Sequence, residues 1–242
     1  MSDERLLAEL EFESGNYLLA AQFAGYWLAK DPNAFAAWDL LGHASLKIGR
    51  LEEGIDALEH AALLKPLSDA SRIELAIAYG VLGRSELSCE LLMVLVVSGN
   101  CSPCDSLRIA TGLDLLGKPR LAVEACRGAG RKQPGSAEIQ HQMAAYLLKS
   151  GQPVNLAETL LSSAVKLEPA NLQYRISLAS LLSTLGRRNE AIECLRQTSC
   201  DQLATVHCTC CLTRLANLFF DGGELELAKQ CAARAASLQD AC

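Results

Sequence analysis

The chain has 242 residues, half of them hydrophobic, 21% charged and only 5% aromatic, with a formal net charge of −6 at pH 7. Global disorder, which needs low hydrophobicity and high charge, is excluded, and a core built from Leu and Ala suits packed helices. The acidic balance disfavours a nucleic-acid partner, whose phosphates are normally held by a basic surface.

At the N-terminus, residues 1–15 carry acids before any base and hold no apolar stretch, so a secretory signal is not expected. The most apolar run, residues 91–97, is far shorter than the roughly 20 residues of a membrane span. Eleven cysteines, an odd number without dense even spacing, point to a reducing interior, and a cytoplasmic chain is the expectation.

Seven glycines set a period: Gly15, Gly49, Gly83, Gly117, Gly151, Gly186 and Gly223, in steps of 34, 34, 34, 34, 35 and 37. Prolines follow at a fixed distance from several of them, at Pro32, Pro66 and Pro134, with Pro169 one residue late. Five residues after the glycine stands a small residue: Ala20, Gly54, Ser88, Ala122, Ala191 and Ala228, with Ala157 displaced by one extra residue near Pro153. The local pattern explains the period. Over 36–47, Trp38, Leu41 and Leu46 return at helical spacing, and Gly49 can end that helix in a left-handed conformation. Over 51–65, Ile55, Leu58, Ala62 and Leu63 predict a second amphipathic helix, which Pro66 stops. Each unit is then a helix pair of about fourteen residues per helix, each about 21 Å long.

These residues resemble the tetratricopeptide repeat, whose pattern is W-x2-L-G-x2-Y, A-x3-F, P. Trp38, Leu41, Gly42 and Pro66 fall in register, while Ser45, Gly54 and Leu58 depart from its Tyr, Ala and Phe. Elsewhere the small positions Ala76, Ala110, Ala144, Ala179 and Ala216 are kept, and Tyr79 supplies the Tyr of the third unit. The resemblance covers the whole chain and divides it as 1–34, 35–68, 69–102, 103–136, 137–171, 172–208 and 209–242. It implies an all-α, right-handed superhelical solenoid of antiparallel helix pairs forming a single array, with another helical-hairpin solenoid as the alternative.

The resemblance also implies that the first helix of each pair lines a concave groove. The groove candidates are Asp39, His43, Ile73, Ile77, Leu107, Thr111, His141, Ile176 and Asn217, flanked by Glu138, Ser180, Thr213 and Phe220. Such a surface, apolar at its middle and mixed at its ends, suits a peptide segment of another protein with two or three apolar anchors. The competing reading is that Ile73 and Ile77 pack against neighbouring helices. A chaperone-type carboxylate clamp, which needs Lys and Asn in register, is not supported.

Other features are weighed against ordinary packing. Cys89, Cys126, Cys194 and Cys231 sit inside second helices and read as small buried hydrophobes. Cys101 and Cys104 form a C-x-x-C, and Cys200, His207, Cys208, Cys210 and Cys211 crowd a junction with three extra residues. That second group offers enough ligands for zinc but matches no standard spacing, so metal binding or thiol sensing is kept as an alternative function. Gly112, Gly117 and Lys118 almost spell a phosphate loop, but Pro119 stands where Ser or Thr is required. No nucleophile–base pair survives, so an enzyme is not expected, nor a cofactor. The last helix places Leu227, Cys231, Ala235 and Leu238 on one stripe, which suggests that a partner or a second copy of the chain covers that end. Self-assembly into a structural array is the other alternative.

Overall fold

The computed structural model describes residues 3–196 and 198–239, and every regular element among them is helical. The chain falls into two compact units, one ending at Lys132 and the other starting at Gln133. In the first, α1 (Asp3–Glu13) packs on α2 (Tyr17–Lys30) and α3 (Phe35–Lys47) on α4 (Leu51–Leu64). There too α5 (Asp69–Val81) packs on α6 (Ser85–Ser98), and α7 (Pro103–Leu115) on α8 (Pro119–Lys132). In the second, α9 (Ala137–Lys149) packs on α10 (Val154–Leu167), and α11 (Leu172–Thr184) on α12 (Arg188–Leu195). A short α13 (Cys200–Ala204) then precedes the pair of α14 (Thr209–Asp221) and α15 (Leu225–Gln239).

The periodic glycines make the turns. Gly49 has φ +81°, its N–H bonds the Leu46 carbonyl at 3.1 Å, and the Arg50 N–H reaches back to Ser45 at 2.9 Å. This double closure satisfies two orphan carbonyls of α3, and it needs a residue that tolerates the left-handed region. The other six periodic glycines share the positive φ and the same pair of bonds. Several first helices are started by a side chain: Ser68 accepts from the Ser71 N–H, Ser102 from Asp105, and Ser136 from Ile139.

The small residues of the pattern lie where helices touch. Ala20, Ala122, Ala157 and Ala191 are fully buried, as are Ser88 and the first-helix residues Ala76, Ala110, Ala144 and Ala179. Around them Ile55, Leu58, Ala61, Leu75 and Tyr79 form one cluster, with Trp38, Leu46 and Leu91 at its edge. Trp38 is fixed further by its Nε1–H, which donates to the Pro32 carbonyl at 2.8 Å, and by stacking on His60 at 4.7 Å.

Two helical expectations are corrected. The buried stripe of α4 is Gly54, Ile55, Ala57, Leu58 and Ala61, while Leu63 is 83% exposed and Ala62 is also exposed. After Ile55 and Leu58 the 3.6-residue period returns at Ala61, one residue before the expected position. The second correction is α12, which has 8 residues instead of about fourteen. Past its end Ser199 opens α13 with a reciprocal cap: its hydroxyl accepts from the Gln202 N–H, and the Gln202 side chain accepts from the Ser199 N–H. The extra residues of that junction are thus a short helix.

Candidate functional site

In the first unit several polar groups of the first helices satisfy one another, although the fully buried Ser45 hydroxyl of α3 has no hydrogen-bond partner. The buried Ser71 hydroxyl donates to Asp39 Oδ1 at 2.8 Å, with His43 Nε2 at 3.1 Å and the Ser68 hydroxyl at 2.8 Å. Glu74 links α3, α5 and α7, accepting a hydrogen bond from Arg108 at 2.6 Å and forming an ion pair with Lys47 at 3.6 Å, and Arg108 also reaches Asp105. Asp39 and His43 are therefore cross-helix ties. Ile73 is fully buried and Leu107 nearly so, which corrects the expectation that they anchor a ligand. Apolar side chains at those positions gain more from the helix–helix seam than from water. Ile77 is half-buried against α7, where a Cβ on Gly112 would meet its Cγ1 at 3.2 Å. Thr111 is exposed, and its hydroxyl donates to the Leu107 carbonyl.

The second unit is different. Between α9, α11 and α14 lies an open groove of about 640 Å³. Its floor is apolar, with Ala145, Leu148, Leu161, Ile176, Leu181 and Leu218. Of the expected groove residues His141, Ile176 and Asn217 come together here, with Ser180 from the flanking set; Ile176 lies in the floor with little exposed surface. The His141 ring packs against Tyr174 at 4.8 Å, its Nε2 meets the Ser177 hydroxyl at 2.8 Å, and burial lowers its pKa below 6.5. Ser180 Oγ is buried with no hydrogen-bond partner. Arg188 pairs with Asp221 on the lining, whereas Arg214 is exposed and forms no ion pair among the described residues. Arg214 and Ser177 both occupy the sixth position of their units, one residue past the position from which groove residues were read.

Around the start of α14 the sulfurs of Cys208, Cys210 and Cys211 lie within 4.8 Å of one another, with 2.8 Å between Cys208 and Cys210. Cys208 precedes the helix, so its side chain folds over the first turn, as a capping residue's does. The Cys210 thiol first, then the amide and thiol of Cys211, favour its ionised form and bring its pKa down to about 7. Cys211 is pushed up to about 12, by burial first and then by the Cys208 sulfur. His207 is exposed, and the side chain of Cys200 lies outside the described residues. The C-x-x-C is split, with Cys101 buried under the end of α6 and Cys104 exposed. Cys126 and Cys231 are buried, and burial raises their pKa values to about 12 and about 11. In α15, Cys231 and Ala235 are buried within the unit, and Leu227 and Leu238 are half-buried.

Repeated helix pairs joined by glycine turns define a helical-repeat fold. A tetratricopeptide-repeat family model matches residues 35–66 and 172–197. The fold is shared with a tetratricopeptide repeat protein from Parabacteroides merdae at TM-score 0.69 and 15% identity, over 96% of this chain and 90% of that one. It is also similar to MamA from Desulfovibrio magneticus, at TM-score 0.60 and 13% identity, over 70% of this chain and 98% of that one. YrrB, described as a tetratricopeptide-repeat protein with an unusual peptide-binding site, aligns at TM-score 0.55 and 16% identity, over 69% and 86%. A comparison with curated protein sequences returned no match. The chain thus carries tetratricopeptide-type repeats at those residues and shares the fold of tetratricopeptide-repeat proteins. No helix among the described residues is long and apolar enough to cross a membrane.

Proposed function

We propose that the chain is a non-enzymatic adaptor that holds a peptide segment of another protein in the groove between α9, α11 and α14. One contrast carries this reading. In the first unit Asp39, His43, Ser71, Glu74 and Arg108 pair with one another and the unpartnered Ser45 hydroxyl is fully buried, whereas the second unit's open groove is lined by an unpartnered Ser180 hydroxyl and an unpaired Arg214. Leaving a buried hydroxyl unbonded costs about 1–3 kcal/mol, which a ligand's donor or acceptor would recover. The apolar floor would take one or two aliphatic or aromatic side chains, and Arg214 would select an acidic residue beside them. The peptide-binding site described for YrrB, which has the same fold, supports the same use here.

A displayed random peptide library tests this directly. Enriched peptides are expected to pair an apolar residue with Asp or Glu. Their affinity should fall about tenfold or more for Ala145→Arg, which fills the floor, and for Arg214→Glu, which inverts the charge. Peptides that bind both variants as tightly as the wild type, with circular dichroism unchanged, would place recognition elsewhere. Ile73 and Leu107 are unsuitable probes, since a charge buried there would unfold the repeat.

A further inference from the structure

We propose that Cys208, Cys210 and Cys211 form a three-thiolate site for one thiophilic divalent cation of the zinc type, at the edge of the groove that Cys211 helps to line. The geometry follows from the helix start. Cys208 stands just before α14, and Cys210 and Cys211 are its second and third residues. A side chain at the capping position naturally faces the second and third residues of the turn, so these three sulfurs converge without long-range folding. All three lie within 4.8 Å of one another. Three sulfurs on one zinc, each about 2.3 Å from the metal, would sit about 3.8–4.0 Å apart, a separation reached from here by side-chain torsions alone.

Packing does not account for the cluster. Cys126 and Cys231 fill the core, and Cys101 is buried beside Asp69. Cys208 and Cys210 are exposed and make no apolar seam. Two exposed thiols and a half-buried one on a single turn are soft ligands matched to zinc rather than to magnesium or calcium, which take oxygen. Three protein ligands leave the fourth tetrahedral position to a water molecule. Binding exchanges the thiol protons for the metal, and those protons pass to the solvent.

The test uses the full chain, freed of metal and kept reduced by a phosphine that does not coordinate. Cobalt(II) serves as the optical probe and zinc as its competitor. The expected result is a thiolate-to-cobalt charge-transfer band that saturates at one equivalent and is erased by one equivalent of zinc. Cys208→Ser and Cys211→Ser should each weaken cobalt binding more than tenfold, and Cys104→Ser, an exposed thiol far along the chain, should leave it unchanged. Circular dichroism of the metal-free variants checks that each is folded. A missing band in the wild type overturns the proposal, as does a band that survives in Cys208→Ser, Cys210→Ser and Cys211→Ser alike. Equal loss in Cys104→Ser overturns it too.

Discussion

At the scale of single residues, the helical glycines differ in what surrounds them. A Cβ on Gly54 would lie 2.6 Å from Leu46 Cδ2 and 3.1 Å from the Gly42 carbonyl, and one on Gly42 would lie 2.6 Å from Leu58 Cγ. The family pattern has Ala at position 54, but in this chain Leu46 fills the space. Gly54→Ala therefore overpacks the seam for about 1–3 kcal/mol, while better helix propensity returns about 1 kcal/mol. A net loss of up to about 2 kcal/mol, seen as a lowered Tm, is expected, even though the change moves the sequence toward the tetratricopeptide pattern. Gly25 has open space where its Cβ would go, and Gly128 only an Arg131 guanidinium nitrogen at 3.8 Å. Gly25→Ala and Gly128→Ala should each stabilise by about 0.5–1 kcal/mol. Thermal unfolding of the three variants side by side decides it, and a Gly54→Ala protein as stable as Gly25→Ala would show that Leu46 gives way freely.

At the scale of elements, the pairing of helices was legible because it rests on local chemistry. A glycine every 34 residues dictates the left-handed turn, and alanines five residues later dictate close approach. The short α12 was not legible, since its end depends on a contact distant in sequence. Arg175 of α11 is 6% exposed, and its guanidinium donates to the Cys194 carbonyl at 2.8 Å and to the Thr198 hydroxyl at 2.9 Å. These bonds hold the backbone where α12 stops. Arg175→Leu would leave both acceptors unpaired, for about 1–3 kcal/mol. The local consequence is sharper: trypsin should cut after the exposed Arg196 faster in the variant, with Arg175→Lys intermediate. Unchanged cutting at Arg196 would mean that the junction is held by something else. The groove was half legible for a similar reason. Of the residues read at every fifth and ninth position, His141 and Asn217 lie on the lining of the open groove, whereas Ile73 and Leu107 are buried between helices. Which edge of a helix face meets water is decided by the neighbouring pair, so Arg214 and Ser177 carried no signal in their own repeat.

At the scale of the whole molecule, a stack of pairs gains stability from each pair and from its contacts with the next, so a loss in one first helix is felt through its unit. His141 makes that loss depend on pH. Its ring is half-buried against Tyr174 and Ser177 in the folded unit, and burial lowers its pKa below the 6.5 of the unfolded chain. Above pH 6.5 both states are unprotonated at this residue, and its contribution is fully present. As pH falls below 6.5 the unfolded chain takes up the proton first, so stability declines until the folded pKa is passed. Tyr174, the ring against it, titrates upward from 10.0 and stays neutral throughout this range, and the Ser177 hydroxyl does not titrate. Other groups titrate as well, and His141→Gln isolates this one. The unfolding free energy of the wild type minus that of His141→Gln should be constant from about pH 8 to 7 and shrink steadily toward about pH 5. A difference that stays flat would show that the folded ring protonates as easily as the free one. The wall of the groove would then be wetter than the packing of His141 against Tyr174 and Ser177 requires.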